Sequence, residues 1–190
     1  MARHANRDDD VEPGAEDDGT DPGEQFRQAK SVCLRLLAVR PRSRANLAKA
    51  LARKGFDDEV AGEVLDRLEQ AKLIDDAEFA DMVVRSRHTH QGLGRQALRS
   101  QLIRQGVATE IVEDAVSAID PAEEEERARE LVRKRMRGLA SADDRTTVRR
   151  LVGVLARKGY PQGTAYRVVR QELAAAGRDM GALEGAVEEP

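Results

Sequence analysis

The chain reads as an all-α protein, an elongated tandem repeat of three three-helix units, each built around a helix-turn-helix-like corner. One phrase recurs three times: Leu47-x-x-x-Leu51-x-Arg53-Lys54-Gly55-Phe56, Leu98-x-x-x-Leu102-x-Arg104-Gln105-Gly106-Val107 and Leu151-x-x-x-Leu155-x-Arg157-Lys158-Gly159-Tyr160. Its glycines stand 51 and 53 residues apart, a period that holds about three helices. No stretch sustains the two-residue alternation of a half-buried strand.

Each phrase is a helix ending. With Gly55 as the left-handed residue just past the helix, Leu51 falls at C3 and Phe56 at C″, the apolar pair that closes a Schellman cap. Leu102 with Val107 and Leu155 with Tyr160 repeat the pair. Beyond each glycine the apolar spacing recurs as Val60, Val64, Leu65, then Ile111, Ala115, Val116, then Thr164, Val168, Val169.

In chain order, residues 1–24 carry nine acids against Arg3 and Arg7, a net −7. They are expected to form a disordered acidic leader, since so little apolar surface cannot offset ordering entropy. The first unit, 25–72, opens with a helix that buries Phe26, Ala29, Val32, Cys33, Leu36 and Leu37 and stops near Pro41. Ser43 caps the next helix, and Asp57 or Asp58 the third, with Val60, Val64, Leu65 and Leu68 inward. The second unit, 73–120, has the sharpest helix start. Asp75 is the N-cap with Glu78 at N3, Ile74 faces Phe79 as a hydrophobic staple, and Phe79, Met82 and Val83 point inward. Gly92 and Gly94 break that helix, and Leu98, Leu102, Ile103, Val107, Ile111, Val112 and Val116 form the second corner. The third unit, 121–177, starts at Asp120-Pro121-Ala122-Glu123 with a cap and a proline at N1. Its first helix carries acids early and Arg133, Lys134, Arg135 and Arg137 late, as the helix dipole favours. Asp143 or Asp144 caps the next helix, Pro161 opens the last, Gly177 closes it, and 178–190 is read as a disordered acidic tail.

Composition narrows the function classes. Aromatics are 3% and tryptophan is absent, so thin helical cores of Leu, Val, Ile and Ala are expected. The single cysteine, Cys33, excludes an internal disulfide and reads as a buried hydrophobe in a reducing compartment. The start has no signal-like apolar region and no stretch approaches a membrane span, so a soluble, cytoplasmic protein is expected; a monomer is expected too.

Gly92-Leu93-Gly94-Arg95-Gln96-Ala97 matches a dinucleotide fingerprint, but that motif needs a strand before it, and a helix precedes it here. It is read as an interhelix turn and no cofactor is expected. His88-x-His90 lacks the further ligands of a structural metal site, so no metal is expected either. The paired acids Asp75/Asp76 and Asp143/Asp144 sit where helices need caps, and no nucleophile and base pair can be named. The chain is read as a non-enzyme.

The body from 25 to 177 carries a net +7 between its acidic ends, which points to an anionic partner. Arg85, Arg87, His88, Arg95, Arg99 and Arg104 gather at the junction of the first two units. Arg149, Arg150, Arg157, Lys158, Arg167 and Arg170 crowd the third. Arg53 and Lys54 sit at the first corner, so Arg53, Arg104 and Arg157 are equivalent by position. Taken singly, each is an ordinary solvated charge; repetition makes the set a candidate partner surface. With few aromatics to stack bases, phosphates or an acidic protein surface are better targets than a stacked single strand.

Ala29 to Phe56 (AKSVCLRLLAVRPRSRANLAKALARKGF), Leu73 to Ala80 (LIDDAEFA), Gly94 to Val107 (GRQALRSQLIRQGV) and the third LARKGY together resemble the bacterial regulatory protein RecX family, over about residues 26–176. The acidic leader and tail lie outside the shared pattern. The resemblance implies tandem three-helix repeats and a protein that binds the RecA recombinase and its nucleoprotein filament, inhibiting its ATPase, strand-exchange and coprotease activities. A direct contact with DNA would be weak and auxiliary. The competing expectation is a stand-alone helix-turn-helix-like nucleic-acid-binding module.

Overall fold

The computed structural model describes residues 21–139 and 143–178. Within them the chain forms nine helices and no strand: α1 (Pro22–Val39), α2 (Arg44–Ala52), α3 (Asp58–Gln70), α4 (Asp76–Gln91), α5 (Arg95–Arg104), α6 (Thr109–Ser117), α7 (Pro121–Met136), α8 (Asp144–Arg157) and α9 (Gln162–Ala175). Helices pair extensively only inside their own triple, α1–α3, α4–α6 or α7–α9. Three separate cores result. Cys33, Leu47, Leu51, Val64 and Leu68 anchor the first. Leu98, Leu102, Val112 and Val116 anchor the second, and Leu151, Leu155, Val168 and Leu173 the third.

The caps follow the sequence closely. Ser43 Oγ accepts from the Asn46 backbone N–H at 3.2 Å, Asp75 accepts from Ala77 and Glu78 at 3.0 Å each, and Asp143 accepts from Thr146 at 2.8 Å. That bond holds the Asp143 carboxyl below the usual aspartate range. Gly55, Gly106 and Gly159 all take left-handed backbone, with φ of 83°, 78° and 83°. Each closes the same Schellman pair: Phe56 N–H to Leu51 O at 3.3 Å, Val107 to Leu102 at 3.2 Å and Tyr160 to Leu155 at 3.1 Å.

The structure departs from the sequence reading at several places in the fold, one being the cap of α3, where Asp57 stands at the N-cap without a side-chain capping bond. Helix α1 begins inside the segment read as leader, because Asp21 caps it by accepting from Gly23 and Pro22 presets its first turn; residues 1–20 and 179–190 lie outside the described residues. Ile74 joins the first core while Phe79 joins the second, so the expected staple does not form. Met82, read as inward, is 38% exposed, and Ile103 is 49% exposed. Both sit on the flank of a helix whose inward stripe is already filled by neighbouring residues.

One cap breaks the local rule. Helix α3 ends with Lys72 at φ 56°, making with Leu73 the closure that glycine makes elsewhere: Lys72 N–H to Glu69 O and Leu73 N–H to Leu68 O, both 2.9 Å. A side chain in this conformation costs about 1–2 kcal/mol, partly offset by the larger unfolded-state entropy of glycine. Lys72→Gly is therefore expected to raise the unfolding free energy by about 0.5–1 kcal/mol in urea denaturation, and an unchanged or lower value would contradict the strain.

Candidate partner-binding surface

The surface is set by how one triple sits on the next, and the two junctions use the same parts. At the first, the start of α2 meets the second corner: Ser43 Oγ donates to Gln105 O at 2.6 Å, and the Arg44 backbone N–H donates to Asp76 Oδ1 of α4 at 2.8 Å. A methyl on Gly106 would overlap the Ala45 methyl. At the second junction, the start of α5 meets the third corner. Gly94 N–H donates to Lys158 O at 2.8 Å, Arg95 N–H donates to Glu124 Oε1 of α7 at 2.8 Å, and a methyl on Gly159 would lie 2.5 Å from the Ala97 methyl. In each case a carboxylate of the following triple satisfies an N–H left open at a helix start, and the corner carbonyl beside it accepts from the preceding residue, by the Ser43 hydroxyl at the first junction and the Gly94 N–H at the second. Asp76 thus caps its neighbour's helix, leaving Asp75 to cap its own. Burial pushes the Asp76 carboxyl up against the lowering effect of that hydrogen bond.

The second junction is reinforced at the end of α4. Lys158 Nζ donates to Gln91 O at 2.7 Å, and the buried Tyr160 hydroxyl donates to Gly92 O at 3.2 Å. The desolvated phenol is pushed up from its ordinary pKa, first by burial and then by Glu124. The Gly92-x-Gly94 turn is explained by packing. Gly92 is left-handed at φ 60° against Leu131, and a Cβ on Gly94 would stand 2.7 Å from Gly159 O.

The predicted cations divide in two on this scaffold. Five are engaged internally. His88 is only 8% exposed and its Nδ1 donates to Leu93 O at 2.9 Å, which corrects its place on the exposed face. Arg95 pairs with Glu124 and donates to the Ile119 carbonyl. Arg99 grips Glu113 with two bonds of 2.5 and 2.6 Å, holding that carboxyl below its usual range. Arg167 reaches Glu125 at 2.6 Å, and Lys158 is the junction bond already described. Arg170 is exposed on α9. Arg53, Lys54, Arg85, Arg104, Arg149, Arg150 and Arg157 are exposed and Arg87 is half-buried, with no ion pair within 4.0 Å among the described residues. The equivalent trio Arg53, Arg104 and Arg157 therefore projects from all three corners with its charge uncompensated by a direct partner.

Sequence reasoning missed a cleft of about 990 Å³ between α1 and α4, lined by Leu34, Leu37, Leu73, Phe79 and Met82 together with charged side chains that include Arg85. The available signal was the pair Leu73-Ile74: on adjacent residues only one can enter the core, and Leu73 is left 51% exposed. Among the described residues no group of three metal-ligating side chains converges, no helix is long and apolar enough to cross a membrane, and Cys33 is buried with its thiol pushed up by desolvation.

Comparison with known proteins matches this architecture triple by triple. Family models for the RecX first, second and third three-helix domains match residues 29–68, 75–116 and 123–169. Proteins named Regulatory protein RecX are 49% identical in Amycolatopsis mediterranei, covering 87% of this chain and 95% of that one, and 48% identical in Mycolicibacterium smegmatis, covering 81% and 84%. The crystal structure of RecX from Lactobacillus salivarius shares the fold at a TM-score of 0.72 and 18% identity, over 79% of this chain and 97% of that one. The repeated corners, the junctions they build and the family models that match all three triples place this chain in the RecX family of regulatory proteins.

Proposed function

We propose that this chain binds the RecA recombinase and the RecA–DNA filament and inhibits the ATPase, strand-exchange and coprotease activities of RecA, thereby modulating recombinational DNA repair and the SOS response. It acts in the cytoplasm as a monomer and catalyses no reaction of its own. The observation that carries this reading is the recurrence of Arg53, Arg104 and Arg157 at equivalent corners of a linked array, each exposed and without an ion pair among the described residues. A filament is itself a repeating partner. Several modest contacts fixed on one scaffold gain effective concentration from one another, so patches that are individually weak hold together. Bound along the filament, such an array obstructs a second duplex or the subunit movements of nucleotide turnover.

The test is ATP hydrolysis by RecA on single-stranded DNA. Purified chain is expected to suppress it when present well below RecA in molar ratio; full hydrolysis at equimolar protein would refute the mechanism. A gel-shift series without RecA separates the competing nucleic-acid module, which requires tight, sequence-selective duplex binding. Weak binding with a steep salt slope is the result expected here.

A further inference from the structure

The two junctions describe what a corner of this fold receives, and the first corner receives nothing from the described residues. Gly106 and Gly159 are covered by Ala45 and Ala97, whereas no described atom comes within 4 Å of a Cβ on Gly55. Val107 and Tyr160 are buried, whereas Phe56, in the same position of the phrase, is only half-buried. The receiving parts are nonetheless all present. The Lys54 carbonyl stands where Gln105 O and Lys158 O accept from a neighbouring helix start. Glu24, in the first turn of α1, stands on the first helix of its unit as Asp76 and Glu124 do on theirs. Glu24, Lys54 and Phe56 line one open cleft of about 730 Å³.

We infer that the corner Lys54-Gly55-Phe56, with Glu24, is a docking site for the amino-terminal turn of a helix on the protein partner, one that sets a small residue against Gly55. The occupant is identified by the two internal copies of the contact. It offers a backbone N–H to Glu24, a donor to the Lys54 carbonyl as the Ser43 hydroxyl and the Gly94 N–H do at the internal corners, and a small side chain against Gly55 as Ala45 and Ala97 present to Gly106 and Gly159. The equivalent helix start of a second copy does not meet the requirement. Thr147 of α8 stands where Ser43 and Gly94 stand in the phrase, but it is buried inside a longer helix and accepts from Arg178 Nη1 at 3.2 Å, while Arg178 also pairs with Asp144 at 2.9 Å. Among the described residues the helix start of the last unit is thus occupied, while the corner of the first unit is open.

The inference rests on the RecA reading, and the test separates the two. Gly55→Asn places a side chain in open space, and asparagine tolerates the left-handed conformation, so helicity is retained. The concentration giving half-inhibition of RecA ATP hydrolysis on single-stranded DNA is expected to rise about tenfold or more. Glu24→Ala is expected to shift it the same way without touching the turn. Gly163→Asn, at another glycine with no neighbour within 4 Å, is expected to inhibit like the parent. Unchanged inhibition by Gly55→Asn and Glu24→Ala, or an equal loss in Gly163→Asn, would overturn the docking site. Deletion of residues 1–20 that reproduced the Gly55→Asn loss would seat the leader there and overturn it too. Failure of the parent chain to inhibit would instead refute the RecA reading.

Discussion

Alanine at Gly159 is expected to destabilise the protein by roughly 3 kcal/mol or more, while alanine at Gly55, in the same phrase, costs about 1 kcal/mol. Both carry the left-handed strain of a φ of 83°. Only Gly159 meets another backbone: its added methyl would lie 2.5 Å from the Ala97 methyl and 2.8 Å from the Ala97 Cα, on a turn that also caps the end of α4. Relief requires the third triple to back away from the second, opening the bonds from Gly94 to Lys158 O and from Tyr160 to Gly92 O. Gly106→Ala lies between the two, because its clash is with the Ala45 side chain and not with backbone. Urea unfolding followed by circular dichroism checks the order Gly159, Gly106, Gly55. Equal losses at the three positions would mean that the glycines serve the turn alone.

Reversing Arg53, Arg104 and Arg157 together to glutamate is expected to raise the half-inhibiting concentration against RecA at least about tenfold and to flatten its salt dependence, with stability little changed. The three side chains are exposed at helix ends and hold no ion pair among the described residues, so their loss removes attraction for a partner and leaves the cores intact. Reversing Arg99 differs in kind. It sets a new acid against Glu113 and breaks a two-bond contact between α5 and α6, so its effect on inhibition is mixed with an effect on folding. Undiminished inhibition by the triple variant would remove the corner arginines from the interface.

These outcomes show how far the sequence carries and where it stops. The corners were legible because a Schellman cap is local: glycine, the leucine four before it and the apolar residue after it state the whole geometry. The caps at Ser43, Asp75, Asp120 and Asp143 were legible for the same reason. The junctions were not, because they join residues 29 to 68 positions apart. Nothing near Asp76 announces that its carboxylate serves Arg44, 32 residues away, and nothing near Gly106 announces Ala45. Charge was legible in total but not in disposition. The net +7 of the body was correct as a count, yet Arg95, Arg99 and Arg167 spend their charge inside the fold and His88 is buried. Met82 illustrates the converse error: helical spacing puts it near the inward stripe, but the edge of a thin three-helix core leaves it on the wall of a cleft.

The claim on which the account depends is that the repeated arginine corners serve a RecA filament and not bare nucleic acid. Co-sedimentation of the chain with preassembled RecA filaments on single-stranded DNA, set beside the same strand without RecA across a range of salt concentrations, measures it directly. Retention by the filament at salt concentrations that release the chain from the naked strand is the predicted result; equal retention on both would contradict it.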